Sequence, residues 1–111
     1  MVISTTVRVC EWHLKNGEVL KFSIYPFETS WNDCAGLYIF ARNQGDIWYP
    51  EYIGQALSFR DRLPNHERWQ EARLRGTTNV HALAVGWQSD RDRLEKMLIE
   101  AFKPALNDHY R

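Results

Sequence analysis

Alternating apolar and polar residues near the start of the chain predict two β-strands joined by a tight turn. The segment VRVCEWHLKNGEVLKFSIYP is rich in β-branched and aromatic residues on both sides of Asn16-Gly17, a dipeptide typical of hairpin turns. A two-residue turn would pair Trp12 with Lys21 and mix apolar with polar side chains on one face. A three-residue turn with Gly17 in the left-handed conformation pairs Trp12 with Leu20 instead, so the pattern favours this longer turn.

Three later segments also have the composition of β-strands. AGLYIFA and WYPEYIG are rich in tyrosine, isoleucine and phenylalanine, and the polar stretch RNQGD between them predicts the loop of a second hairpin. Further along the chain, NVHALAVGW alternates as a strand. We expect these three segments to form a three-stranded, mainly antiparallel sheet.

Two regions have helical patterns that would cover this sheet. Over residues 56–75 the pattern is helical, with Pro64 expected to open a second helical piece and Gly76 expected to end it. Ser89, with Asp92 three residues later, predicts a capping box at the start of a final helix. The predicted fold is a small α/β (α+β) domain whose helices flank the sheet, with the N-terminal hairpin as an addition.

The final helix, within LEKMLIEAFKPALN and stopped by Pro104, carries a carboxylate near its apolar face. At about 100° per residue, Glu95 lies about 100° from Leu94, on the flank of that face, whereas Glu100 lies on the solvent side. The apolar face itself is formed by Leu94, Met97, Leu98, Ala101 and Phe102. A carboxylate on this flank requires a partner, so Glu95 is a boundary glutamate, a member of a structural ion pair, or a metal ligand.

Composition and charge restrict the domain organisation and the partners. The 111 residues, 44% hydrophobic and 25% charged, fit a single globular domain, which we divide into a hairpin extension over 1–34 and a core over 35–107. Fourteen Lys and Arg residues balance fourteen Asp and Glu residues. This balance excludes a strong overall basic field, so any surface for nucleic acid would have to be local.

The chain has the features expected of a cytoplasmic protein. No apolar run approaches the roughly eighteen residues that a membrane-spanning helix needs, and MVISTTVRVC lacks the pattern of a signal peptide. Cys10 and Cys34 lie far apart and form no C-x-x-C arrangement. We therefore expect two buried, reduced thiols and no contact with a membrane.

Two short motifs and several later residues occur in a characteristic order. GLY covers Gly36 to Tyr38, YIG covers Tyr52 to Gly54, Arg62 and His66 follow, and the Glu95 helix leads into a Pro-x-x-Asn turn that ends at Asn107. In order and spacing this set resembles the GIY-YIG nuclease family, with leucine in place of isoleucine in the first motif. The resemblance covers about residues 35–107. The loop between the motif tyrosines carries a few extra residues, and the N-terminal hairpin is not part of the minimal domain.

The resemblance implies a divalent-metal-dependent endonuclease that hydrolyses phosphodiester bonds in nucleic acid. DNA is the expected substrate, and the sequence leaves RNA open. Glu95 would be the single protein ligand of Mg²⁺ or Mn²⁺, with waters and phosphate oxygens completing the coordination. Arg62 would clamp the scissile phosphate. Either Tyr38 or Tyr52 would take the proton of the attacking water, and His66 would share in that relay.

Other residues would support the site. Gly36 and Gly54 are interpreted as positions where a side chain would crowd it, and Asn107 as a brace between the end of the Glu95 helix and the sheet. Residues 55–80 carry five arginines against three acidic residues, a net charge of +2. This modest patch would contact the nucleic-acid backbone through Arg60, Arg68, Arg73 and Arg75.

The tryptophans and the overall charge leave alternatives open. Trp69 would either pack in the core or stack on an unpaired base. We expect the other four, Trp12, Trp31, Trp48 and Trp87, to pack. The alternatives to a nuclease are a non-catalytic nucleic-acid-binding module with the same fold and a protein-interaction domain. Protein partners are not indicated by the sequence.

Overall fold

The computed structural model describes residues 8–110 of the chain, with side-chain surroundings through Asn107. Val7, which the sequence assigns to the first strand, lies outside the described residues. The elements in chain order are β1 Val9–His13, β2 Val19–Tyr25, β3 Gly36–Gln44, β4 Ile47–Ala56, α1 Phe59–Arg62, α2 Trp69–Leu74, β5 Asn79–Ala84, α3 Gln88–Phe102 and a 3-10 segment, Ala105–Tyr110. The mixture of strands and helices confirms the predicted α+β class.

All five described strands belong to one antiparallel sheet, in the order β1-β2-β5-β3-β4. The three-stranded sheet expected from the sequence is its β5-β3-β4 part. The N-terminal hairpin continues this sheet, because β2 pairs with β5 through contacts such as Ser23 with Ala82. A sheet of five strands therefore replaces the predicted three, and the hairpin covers what would otherwise be the open edge of β5.

The first hairpin has the predicted register. Trp12 pairs with Leu20 and Cys10 pairs with Phe22. Gly17 has φ of +93°, which is the left-handed conformation that the three-residue turn requires. The register places Trp12 and Phe22 on the buried face, so hydrophobic burial and turn geometry agree.

The β3–β4 hairpin is longer and its turn tighter than expected. Pairing continues to Gln44 and Ile47, so most of the predicted RNQGD loop belongs to the ladder. Gly45 and Asp46 form the turn, with φ of +60° and +63°. Two successive left-handed residues match the twist of an antiparallel pair, which explains why a short turn replaces a five-residue loop.

Two predicted helix starts are wrong. Pro64 does not open a second helix, because it lies in the turn after α1 and α2 begins only at Trp69. Gly76, with φ of +97°, follows α2 as predicted. The capping box of Ser89 and Asp92 does not start the last helix, since α3 already begins at Gln88. The carboxylate of Asp92 instead accepts hydrogen bonds from two glutamines.

The sheet separates two hydrophobic clusters. One face contains Tyr38, Phe40 and Tyr52 with Leu63 from the α1 side. The other contains Ile39 and Ile53 with Leu94 and Leu98 of α3. Alternation along β3 and β4 thus places the motif tyrosines on the sheet face opposite α3.

Two smaller expectations concern the cysteines and the absence of a membrane-spanning helix. Cys10 and Cys34 are both free thiols, but each is half-buried and not fully buried as predicted. None of the described helices is long and apolar enough to cross a membrane.

Candidate active site

Tyr38 and His66 form the buried centre of the candidate site. The Tyr38 hydroxyl lies 2.7 Å from Nε2 of His66, and both residues are almost fully buried. Nδ1 of His66 accepts the backbone N–H of Arg68 at 3.0 Å. A neutral imidazole whose Nδ1 accepts a hydrogen bond carries its proton on Nε2, so His66 donates to the Tyr38 oxygen.

Burial keeps both groups neutral. It lowers the pKa of His66 to about 4, helped by the nearby Arg62 cation and opposed by Glu67. Burial also raises the pKa of Tyr38 well above its usual value, whereas Arg62 lowers it. Because His66 already carries a proton on the nitrogen that faces Tyr38, it can stabilise a phenolate there but cannot accept the phenol proton at that nitrogen. His66 can therefore take part in the expected relay only as a hydrogen-bond donor to Tyr38.

Gly54 lies against Tyr38 because the two residues pair across β3 and β4. A Cβ at position 54 would lie 2.5 Å from the Tyr38 hydroxyl oxygen, which is closer than van der Waals contact allows. Gly36 has a different neighbourhood. A Cβ there would lie 2.2 Å from the Leu83 carbonyl oxygen and 2.5 Å from Cζ of Phe59. Gly54 therefore makes room for the site, while Gly36 makes room for β5 and α1.

Tyr52 lies on the same sheet face as Tyr38. Its ring centroid is 6.2 Å from that of Tyr38 and 5.2 Å from that of His66. Both tyrosines thus border the same imidazole, and the pKa of Tyr38 is raised further by the proximity of Tyr52.

Arg62 approaches the tyrosines from the end of α1. Its two terminal guanidinium nitrogens, Nη1 and Nη2, donate to Oε2 and Oε1 of Glu67, each at 2.7 Å. This hydrogen bonding lowers the pKa of Glu67 to about 2, so the carboxylate is charged over the whole physiological range. Glu67 was not among the residues predicted for the site, although an acidic residue five positions after a candidate phosphate-binding arginine could have indicated this ion pair.

Glu95 lies on the flank of α3, as its helical position predicts, and is half-buried. Its Oε1 accepts a hydrogen bond from Nε2 of Gln55 at 3.0 Å. The Glu95 charge contributes to raising the pKa of Tyr38, as does Glu67. Tyr52, Arg62 and Glu95 thus all lie near enough to Tyr38 to influence its pKa, and His66 forms a hydrogen bond with its hydroxyl.

Asn107 links the chain after α3 to the strand that carries the YIG motif. Its Oδ1 accepts the Ile53 backbone N–H, and its Nδ2 donates to the Ile53 carbonyl oxygen, both at 2.8 Å. Asn107 is buried, so this pair of hydrogen bonds is shielded from water. It fixes β4 next to Tyr52 and Gly54.

The four arginines outside the centre are mostly engaged with carboxylates. Ion pairs join Arg60 to Asp33, Arg68 to Glu71, and Arg75 to Glu51. Arg73 is exposed. A nucleic-acid backbone would have to compete with these pairs, so the patch presents less available positive charge than the sequence count implies.

The structure decides between the two alternatives for Trp69 and contradicts the expectation for Trp87. Trp69 stacks on Phe27, with ring centroids 3.8 Å apart, and so takes the core position rather than a surface position for a base. Trp87 is 76% exposed at the start of α3, contrary to the prediction that it packs. Trp12, Trp31 and Trp48 do contact the hydrophobic clusters, as expected.

A solved structure shares this architecture. The crystal structure of the GIY-YIG N-terminal endonuclease domain of UvrC from Thermotoga maritima, a tyrosine-to-phenylalanine point mutant bound to its catalytic divalent cation, matches with a TM-score of 0.56 and 27% sequence identity. The match covers 69% of this chain and 86% of that chain. This chain has the GIY-YIG fold. The resemblance drawn from the motifs is thereby confirmed for the GIY-YIG architecture.

Two sequence comparisons give no match. No model of a known protein family matches the chain, and no curated protein does so either. The GIY-YIG assignment therefore rests on the structural match together with the motifs.

The residues around Glu95 suit a hard divalent cation held by few protein ligands. Carboxylate oxygens are the ligands that Mg²⁺ and Mn²⁺ prefer. Within the described part of the chain no group of three or more His, Cys, Asp or Glu side chains could enclose an ion. A GIY-YIG site with Glu95 as its protein ligand would leave the remaining coordination positions of the ion to water and substrate. The carboxylate oxygens of Glu95 fit that arrangement.

Proposed function

We propose that this protein is a divalent-metal-dependent endonuclease that hydrolyses phosphodiester bonds in nucleic acid, DNA rather than RNA. The observation that carries the proposal is the hydrogen bond between Tyr38 and His66, with Arg62 and Glu95 near enough to influence the pKa of Tyr38, in a fold matched to an endonuclease domain that binds a catalytic divalent cation. A binding module would not require a buried tyrosine–histidine pair next to a cation and a carboxylate.

Glu95 would hold Mg²⁺ or Mn²⁺. When bound, such an ion supplies Lewis-acid stabilisation of charge on the phosphate and the departing oxygen. Arg62 would bind the scissile phosphate through its planar fork, which is suited to two parallel hydrogen bonds. To do so it would exchange the Glu67 carboxylate for phosphate oxygens.

Tyr38 is the better placed of the two tyrosines to orient the attacking water. His66 donates to its oxygen, so the phenol hydrogen points elsewhere and any phenolate formed would keep a hydrogen-bond donor. The positive charge of Arg62 also favours the phenolate. Tyr52 would then flank the site. Under this assignment Tyr38→Phe loses cleavage by a larger factor than Tyr52→Phe.

A non-catalytic nucleic-acid-binding module with the same fold is the second candidate. The burial of Tyr38 favours it, because a tyrosine that is 1% exposed and whose pKa burial raises is poorly suited to accept a proton from water. The two candidates differ in whether a bound strand is cut.

The test is a substrate panel incubated with the purified protein. Single-stranded, duplex and branched DNA and RNA of matched length are offered with Mg²⁺, with Mn²⁺ and with chelator, and both binding and strand length are measured. The endonuclease proposal predicts metal-dependent cuts within at least one substrate. Binding without cutting in either metal would favour the binding module.

A further inference from the structure

A chain of hydrogen bonds leads from a buried arginine to Glu95. Arg91 donates from Nη2 to Oε1 of Gln88 at 2.7 Å, and Gln88 donates from Nε2 to Oε1 of Gln55 at 2.8 Å. Gln55 in turn donates from Nε2 to Oε1 of Glu95 at 3.0 Å. The chain crosses from α3 to β4 and back to α3, so it joins the helix that carries the candidate metal ligand to the strand that carries YIG.

The direction of this chain is fixed at its arginine end. A guanidinium has donors and no acceptor, so Gln88 must face Arg91 with its carbonyl oxygen. That orientation turns the Gln88 amino group toward Gln55, whose oxygen accepts and whose amino group then faces Glu95. Reversing either amide would bring oxygen against oxygen or nitrogen against nitrogen.

The arginine is itself held in place. Arg91 is 3% exposed, and its Nη1 donates to the Val85 carbonyl oxygen at 2.8 Å. Asp92 also bonds to both glutamines, because its Oδ1 accepts a hydrogen bond from Nε2 of Gln55 at 2.9 Å and one from Nε2 of Gln88 at 2.7 Å. Both hydrogens of each glutamine amide are therefore used, which leaves little freedom for either side chain to rotate.

We propose that Gln55 is a positioning residue that orients the Glu95 carboxylate for a divalent cation, and that Gln88 and Arg91 set the orientation of Gln55. The inference rests on the proposed function in one respect, namely that Glu95 holds the cation. A glutamate side chain has several rotatable bonds, and fixing one oxygen before the ion arrives avoids losing that freedom on binding. A carboxylate has about four lone-pair positions, so one hydrogen bond to Oε1 is compatible with metal coordination.

The test compares metal binding by Gln55→Leu, which keeps the side-chain bulk and removes the donor, with that of the unaltered protein. Mn²⁺ affinity is measured by electron paramagnetic resonance titration, without substrate. Partners that hold a metal ligand change affinity by about 10- to 100-fold when removed, and we expect a loss in this range for Gln55→Leu. Gln88→Leu, at an exposed position and one step further away, should give a smaller loss in the same direction.

Gln70→Leu is the matched control, because Gln70 is an exposed glutamine on α2. It should bind Mn²⁺ as the unaltered protein does. Cleavage by Gln55→Leu should recover at high Mn²⁺, since the defect lies in metal affinity, whereas a general loss of folding would not be rescued in this way.

The outcomes separate the two proposals. If the unaltered protein binds Mn²⁺ and both Gln55→Leu and Gln88→Leu bind it equally well, the positioning role is wrong and the nuclease proposal stands. If the unaltered protein neither binds Mn²⁺ nor cuts nucleic acid, the proposed function fails and the positioning role fails with it. Should Gln55→Leu not fold, Gln88→Leu decides by itself.

Discussion

Arg62 and Glu67 form a two-pronged ion pair in which both terminal guanidinium nitrogens lie 2.7 Å from a carboxylate oxygen. Carboxylate and phosphate groups bind the arginine fork in the same way. In the free protein Glu67 thus takes the position that our proposal gives to the scissile phosphate. The substrate must displace it, so the pair should act as a built-in competitor.

Glu67→Gln should therefore strengthen substrate binding. An exposed ion pair contributes about 0.2–1 kcal/mol, so removing the competing charge should lower KM by up to about fivefold. Steady-state cleavage kinetics measure the change. Glu18→Gln is the control, because Glu18 forms a comparable pair with Arg93 at 3.0 Å, and Arg93 is not among the arginines expected to contact nucleic acid. A higher KM for Glu67→Gln would instead show that Glu67 holds Arg62 in its working position.

Gly54→Ala should damage both stability and cleavage, because the new methyl group would lie 2.5 Å from the Tyr38 hydroxyl oxygen. Overpacking of this kind costs about 1–3 kcal/mol, which corresponds to a fall in melting temperature of roughly 5–15 °C. No described atom lies within 4 Å of a Cβ built at Gly86, so Gly86→Ala is the matched control. Equal melting temperatures for the two variants would contradict the close approach of Gly54 and Tyr38.

Acid should destabilise the protein through His66. Burial first, and the Arg62 cation second, lower its pKa to about 4, against about 6.5 in an unfolded chain. Between these values the unfolded state binds a proton that the folded state does not. The free energy of unfolding is therefore highest above pH 6.5 and falls as the pH drops to about 4, by at most about 3 kcal/mol for this group.

His81, whose pKa burial also lowers to about 4, should add to the same loss. His66→Gln keeps a donor for Tyr38 and removes the titration, so its stability should depend less on pH over this range. The exposed His13→Gln is the control. Chemical denaturation at several pH values measures both, and an unchanged pH slope for His66→Gln would contradict the buried neutral imidazole.

The elements that sequence analysis predicted correctly depend on local chemistry. Asn16-Gly17 and the alternation around it determine the first hairpin, because the turn and the buried face leave one register. The flank position of Glu95 follows from helix geometry in the same way. The start of α2 could not be predicted in this way, since Pro64 is tolerated equally in a helix start and in a turn. The turn at His66 is fixed by the hydrogen bonds of His66 to Tyr38 and Arg68.

Tertiary packing decides the features that the sequence could not indicate. Trp69 and Trp87 are the same residue type, but only the fold shows that Trp69 stacks on Phe27, from the loop before β3. Trp87 is exposed. The link between Gln55 and Glu95 joins residues forty positions apart. Motif spacing in the sequence identified the candidate residues, whereas their hydrogen-bond partners could be identified only from the fold.

The nuclease proposal depends on the claim that Glu95 is the metal ligand. Cleavage of the substrate panel with Mg²⁺ is compared for the unaltered protein, Glu95→Gln and the control Glu100→Gln, with melting temperatures recorded beside it. We expect Glu95→Gln to lose metal-dependent cleavage while melting no lower than the unaltered protein, and Glu100→Gln to match the unaltered protein in both respects. A Glu95→Gln variant that melts at a lower temperature and still cuts would contradict the claim.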